Sequence, residues 1–272
     1  MATTQNILVR LLSRDPERAL REMDRCVTIQ RAVGWGSEAV PSHVFRADSM
    51  GLLTGLVDLG YVLVAEDSTA NEVIGFGRVT YTRDPAKHWL HELAVVPQFQ
   101  GMGIGLKLMM EIGRQSEQTG AKALLFTYDP FDARNGKLYL NTCGGRGIRV
   151  FENLYGRSPV PDHRNRFSHR IMVWWDLRPN RVARSPYERE EIRLVASSGE
   201  IERGKPFAVA VPSAGIPLDE EKALILQEET FPILGTAINR MGYEAVGIEK
   251  SGEPGLCLLV LVPGSQRVEA KF

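Results

Sequence analysis

The order of elements legible in the sequence predicts a mixed-sheet α/β fold with a smaller C-terminal α/β extension. Three observations carry this. Short β-rich runs alternate with amphipathic helical stretches from Asn6 to Leu177, a glycine-rich turn joins a strand to a helix at Gln100–Gly105, and a polar, proline-marked stretch from Arg178 to Pro186 sets off the C-terminal portion. The boundaries drawn on this basis are a first domain over 1–178 and an extension over 186–272.

Asn6–Leu12 reads as the first strand. Asp15, Pro16 and Glu17 then supply a cap, a first-turn proline and an acid in the order that starts a helix, here running toward Ala32. Phe45, Leu52, Leu53, Leu56 and Val57 recur on helical faces, with Gly60 in the position a C-cap prefers. Tyr61–Glu66 and Val73–Thr82 form a hairpin around the polar run Asp67–Glu72, and Trp89–Val96 is the next strand, stopped by Pro97. Ile104, Leu108, Met109 and Ile112 repeat at helical spacing up to Gly120. Leu124–Tyr128 is a short apolar strand, and Asp132 caps a helix through Leu138 that ends near Gly144 and Gly145. Arg149–Leu154 and Ile171–Leu177 close the first domain. The extension shows strands near Ile192–Ala196 and Phe207–Val211, a helix from Asp219 to Met241 kinked at Pro232, and strands at Tyr243–Ile248 and Leu256–Val262. Its helix is apolar on more than one face, which predicts cover from the first domain's sheet or from the second subunit of a homodimer. No internal repeat or low-complexity tract is visible.

Hydrophobic residues make up 43% of the chain and charged residues 24%, enough apolar surface for a buried core without disulfides or metal. The 33 basic and 33 acidic residues cancel, so no overall field draws the protein to nucleic acid or to an anionic membrane. Cys26, Cys143 and Cys257 are dispersed, with no metal-ligand spacing, which suits a reducing compartment. The N-terminal apolar stretch is short and interrupted by Arg10, unlike a secretory leader, and no run reaches the ~20 apolar residues of a membrane span. The expectation is a cytoplasmic protein with neither a membrane nor a nucleic-acid partner.

The informative segment is the strand ending Leu93-Ala94-Val95-Val96-Pro97 followed by Gln100-Gly101-Met102-Gly103-Ile104-Gly105 at a helix start. Free backbone N–H groups and the positive end of the helix dipole make such a turn an anion site, and glycine lets the chain approach phosphate closely. A Walker A loop would end in Gly-Lys-Ser/Thr, whereas Gly105 is followed by Leu106 and Lys107. A dinucleotide fingerprint would place glycine three residues after Gly103 or Gly105, where Leu106 and Leu108 stand. The remaining pattern, Gln100-x-x-Gly103-x-Gly105, resembles the CoA pyrophosphate loop of the GNAT superfamily of acyl-CoA N-acyltransferases, and the strand ending at Pro97 resembles the one that leads into it. The resemblance covers Asn6–Leu177 and only faintly the rest. Thr127-Tyr128-Asp129-Pro130, Arg134-Asn135, Asn153-x-Tyr155-Gly156 and Trp174-Trp175 are similar to a bacterial branch of that superfamily which also carries a C-terminal extension.

The resemblance implies the GNAT fold and a reaction in which an acetyl or other acyl group passes from acyl-CoA to a primary amine of a small molecule, directly in a ternary complex and without metal. It implies CoA contacts at Val95, Val96, Gln100, Gly101, Met102, Gly103, Ile104, Gly105 and Asn135, with the Val95 N–H freed to polarise the thioester carbonyl. A lysine-like amine is protonated at neutral pH, so a proton acceptor is needed. Relatives place a carboxylate at Glu92, beside His91 on the opposite strand face; the alternative is a solvated strand-edge charge. Tyr139 is the candidate proton donor to the leaving thiolate, although counting back from Gly144 puts the usual tyrosine position on Leu140, and the branch carries asparagine at 139. Tyr128 and Tyr155 are weaker substitutes, and Cys143 has no neighbouring histidine to make it a nucleophile. The six arginines between Arg146 and Arg170 read either as a solvated basic loop or as a site for an acidic acceptor or the CoA adenosine phosphate. The rival to an enzyme is a catalytically weak acyl-CoA-binding sensor or scaffold.

Overall fold

The computed structural model describes residues 6–35, 39–49, 59–156, 168–178, 192–213 and 219–264. They group into two compact units, one formed by the described residues through Phe126 together with 176–178, the other by residues 127–156, 168–175, 192–213 and 219–264. The linker read at Arg178–Pro186 lies, beyond Arg178, outside the described residues.

In the first unit β1 (Ile7–Leu11), β2 (Gly60–Asp67), β3 (Glu72–Tyr81), β4 (Lys87–Val95) and β5 (Ala123–Tyr128) neighbour one another in that order, antiparallel as far as β4. The β4–β5 pair is parallel and is joined by α3 (Ile104–Gln118). Helix α1 (Pro16–Ala32) starts as the sequence predicts, with the Asp15 carboxylate accepting the Arg18 N–H at 2.8 Å. Its Met23, Cys26 and Ile29 are buried. The short helix α2 (Ser42–Asp48) comes next; Leu52, Leu53, Leu56 and Val57 lie outside the described residues. Gly60 is the first residue of β2 and not a helix cap. A Cβ there would stand 2.1 Å from the Val79 carbonyl oxygen, so glycine serves the close approach of β3.

Small residues on β3 also place α3. A Cβ at Gly77 would lie 2.5 Å from Ile112 Cδ1, and one at Gly75 would lie 3.3 Å from Leu108 Cδ1, so the helix settles where larger side chains would hold it off. Leu108, Met109 and Ile112 are fully buried, each contributing roughly 1.5–3 kcal/mol of apolar burial. The Tyr61 hydroxyl pins the same helix, donating to the Ile112 carbonyl at 3.1 Å and sharing a 2.6 Å bond with Ser116 Oγ.

The second unit holds α4 (Ala133–Gly136, continuing as a π turn over Lys137–Thr142), β6 (Arg146–Phe151) and β7 (Arg170–Asp176). It continues with β8 (Arg193–Leu194), β9 (Phe207–Pro212), α5 (Glu220–Leu234, then a π turn over Gly235–Arg240), β10 (Tyr243–Lys250) and β11 (Leu256–Pro263). Its strands lie in the order β7-β6-β10-β11-β9-β8. Pro232 sits inside α5, and the helix buries Ala223, Phe231, Ile233, Leu234, Ala237 and Ile238 while Leu224 and Ile225 stay exposed. Among the described residues no helix is long and apolar enough to cross a membrane.

Candidate functional site

The end of β4 is shaped by two irregularities. Glu92 pairs with Arg78 and Leu90 with Val79, so His91 is an extra residue, a bulge that interrupts the simple alternation of faces. On the other side, the parallel ladder to β5 runs only from Lys87–Ala123 to Trp89–Leu125, while β4 itself continues to Val95. Val96 donates to the Ile74 carbonyl at 2.9 Å, which makes Val95–Gly75 a pair without mutual hydrogen bonds. The Val95 N–H and C=O therefore point away from β3, to the side where the β5 ladder has ended.

The loop folds back on this strand end. After a single helical turn at Pro97–Phe99, the Gln100 carboxamide donates to the Val95 carbonyl at 2.9 Å, so this side chain holds the loop against β4. Gly101 and Gly103 both have φ of 79°, the left-handed region in which a side chain is costly. Gly103 is the N-cap of α3, and no side chain caps the helix. The Lys107 N–H reaches the Gly103 carbonyl at 3.0 Å; the N–H groups of Ile104, Gly105 and Leu106 precede the first intrahelical bond. The first turn carries no acid, and a Cβ at Gly101 or Gly103 would meet nothing within 4 Å. Open space in front of uncapped amides fits a phosphate or pyrophosphate group. The buried Ile104 side chain leaves its backbone as the part able to contact a ligand, whereas Met102 is exposed.

Glu92 lies in a buried charge network that sequence reasoning missed. Arg78 Nε donates to Glu92 at 2.6 Å, and Arg78 NH1 donates to Asp48 of α2 at 2.6 Å. All three side chains are nearly excluded from water. Burial pushes the Glu92 carboxyl above its ordinary range, and the nearby guanidinium only partly offsets this. The missed signal was a lone arginine inside the apolar strand Val73-Ile74-Gly75-Phe76-Gly77-Arg78-Val79, which demands a buried anion.

Asn135 and Tyr139 belong to the second unit. Asp132 accepts the Asn135 N–H at 3.0 Å and its side-chain amide at 2.9 Å, which fixes the carboxamide at the helix start. Tyr139 is buried in the π turn, 5.8 Å from the Tyr128 ring, and burial raises its phenol above the ordinary value, as it does that of Tyr128. The Tyr128 hydroxyl is buried without a hydrogen-bond partner among the described residues. Burial pushes the Cys143 thiol up to about 12, which favours the thiol over the nucleophilic thiolate. Of the basic segment, Arg146 is bonded to Glu244, while Arg149 and Arg170 lie over the rings of Phe151 and Tyr155; His163 and the other arginines fall outside the described residues. Among the described residues no group of His, Cys, Asp and Glu could hold a metal ion.

Residues 58–141 match the acetyltransferase (GNAT) domain family. An N-acetyltransferase from Staphylococcus aureus Mu50 is 13% identical with a TM-score of 0.50, covering 64% of this chain and 99% of its own, which shows the fold. The Escherichia coli ribosomal-protein-S18-alanine N-acetyltransferase is 16% identical over 67% of this chain and 99% of its own, with a TM-score of 0.47. A Salmonella typhimurium structure, solved with its cofactor acetyl-CoA, is 16% identical over 66% of this chain and 99% of its own, with a TM-score of 0.49. No curated protein matches the sequence. The glycine turn into an uncapped helix and the end of the strand that outruns its ladder both lie within the stretch, residues 58–141, that matches the acetyltransferase (GNAT) domain family.

Proposed function

We propose that the protein is an N-acyltransferase that moves an acetyl or other acyl group from acyl-CoA to a primary amine of a small molecule by direct transfer. The observation that carries the reading is the continuity of two sets of free donors, the uncapped first turn of α3 and the β4 end whose Val95 N–H faces away from β3. Acyl-CoA would supply an activated thioester. The amides of Gly103, Ile104 and Gly105 would hold the pyrophosphate, with the left-handed Gly101 and Gly103 shaping the turn and Gln100 tying it to β4. The Val95 N–H would donate to the carbonyl oxygen, a fixed donor of the kind worth ~3 kcal/mol of barrier. Glu92, its pKa raised by burial and its position held by Arg78, would take the proton of the incoming ammonium. Asn135 as a CoA contact and Tyr139 as the proton donor remain proposals that rest on the resemblance.

Release of free CoA thiol in the presence of acetyl-CoA and a broad panel of small amines tests this. Turnover above the amine-free rate with at least one acceptor is expected. Saturable CoA binding with no amine-dependent release across the panel overturns the enzyme in favour of an acyl-CoA sensor or scaffold.

A further inference from the structure

The second unit contains the same piece of structure twice. Arg146 and Glu244 are 98 positions apart and bonded at 2.5 Å, and this one offset maps feature onto feature. The π turn Lys137–Thr142 maps onto Gly235–Arg240. The bond from the Cys143 N–H to the Leu138 carbonyl (2.9 Å) maps onto that from the Met241 N–H to the Thr236 carbonyl (3.0 Å). Left-handed Gly144 (φ 71°) maps onto left-handed Gly242 (φ 74°). β6 bulges at Ile148 against its antiparallel neighbour β7, and β10 bulges at Val246 against its antiparallel neighbour β11.

The two copies also hold each other reciprocally. The Asn141 carboxamide accepts the Ile248 N–H at 2.8 Å and donates to the Ile248 carbonyl at 3.2 Å. The Asn239 carboxamide accepts the Val150 N–H at 2.9 Å and donates to the Val150 carbonyl at 2.9 Å. Both relations obey the same offset, as does Gly147–Ala245, the residue pair through which β6 meets β10. Contacts of i with j and of the equivalent j with i are the mark of a two-fold axis. The packing there requires small residues, since a Cβ on Gly147 would lie 2.9 Å from that of Ala245. Away from the axis, the backbone groups of Val150 and Ile248 would be left on an open strand edge. An asparagine side chain offers an acceptor and two donors, and each stands in for the missing strand.

We infer that residues 231–263 are a pared-down second copy of the half-domain built from residues 133–151 and 170–175, seated on the outer edge of β6 as the second subunit of a dimer would be. That edge is an interaction surface for another copy of the same half-domain, and the chain supplies the copy itself. The inference rests on this geometry and does not depend on acyl transfer.

Amide exchange on the full-length protein over a wide range of concentration, with charge reversals across the axis, tests it. The Val150 and Ile248 amides should exchange equally slowly at every concentration. Arg146→Glu and Glu244→Arg should each lower the unfolding midpoint by roughly 2–4 °C, and the doubly reversed protein should regain most of the loss. Protection at Val150 that falls on dilution would mean that β10 arrives from another chain; that result, or a double variant no better than the singles, overturns the inference.

Discussion

At Glu92 burial and the Arg78 guanidinium act in opposite directions, and burial prevails, so the carboxyl titrates above the usual glutamate range. A base must be deprotonated to act, so kcat/KM should rise with pH through that raised value, on the acid limb of the profile. Glu92→Gln should remove this limb and lower turnover by about 10²-fold, with CoA affinity unchanged; a parental profile would leave Glu92 a structural charge. The same shift has a stability consequence. A carboxyl whose folded pKa is raised is penalised once ionised, so its contribution is lost as pH climbs from the unfolded glutamate range through the folded value, and Glu92→Gln should flatten that slope in pH-dependent melts. Gly103 separates backbone from space. Its φ of 79° disfavours valine, but open volume would accept a side chain, and asparagine tolerates the left-handed region. Gly103→Asn should therefore keep near-parental stability and weaken CoA binding at least about tenfold, roughly 1.4 kcal/mol, by calorimetry, because its side chain enters the space in front of the amides. An unchanged affinity would remove the loop from the binding site. Both residues were candidates from the sequence, Gly103 through the glycine turn at a helix start and Glu92 through the resemblance to GNAT enzymes. Asp48 and Arg78 were not, since their meaning depends on a partner brought in by the fold.

Elements with local signals were readable and those set by packing were not. Asp15-Pro16 and Asp132 announced helix starts that both exist, and the hairpin between β2 and β3 forms around its polar turn. Gly60 misled because a glycine after an apolar run reads as a cap, whereas close packing of strands can demand the same residue. The π turn at Lys137–Thr142 has no sequence signature, and it matters because it changes which face of the helix Tyr139 and Leu140 present. Asp132 anchors the start of that helix with both carboxylate oxygens engaged by Asn135. Asp132→Ala should cost about 1 kcal/mol in chemical denaturation and release the Asn135 side chain. Asn135→Ala should leave stability nearer the parent, because the backbone cap survives. If Asp132→Ala melts like the parent, the cap does not hold the element.

At the scale of the whole molecule, residues 58–141 match the GNAT domain family, and the second unit holds a repeat hidden from sequence inspection. Between Lys137–Phe151 and Gly235–Glu249 only Asn141/Asn239 and Gly144/Gly242 are identical, so no repeat is visible in the sequence, although bulges, π turns and reciprocal clamps coincide. The retained identities are those the geometry needs, a left-handed turn and a carboxamide that replaces a strand. The polar positions proposed to serve the ligand are not retained. At the offset that relates Arg146 to Glu244, Asn135 corresponds to Ile233 and Tyr139 to Ala237, both apolar and buried. The glycine turn into α3 lies outside the repeat altogether, in the first unit. One chain should therefore bind one CoA despite its two half-domain copies. Calorimetric titration of the full-length protein with CoA should give a single site per chain, abolished or weakened by Gly103→Asn and untouched by Asn239→Ala. Two sites per chain, or a single site that Asn239→Ala removes while the protein stays folded, would mean that the second copy kept a ligand-binding role.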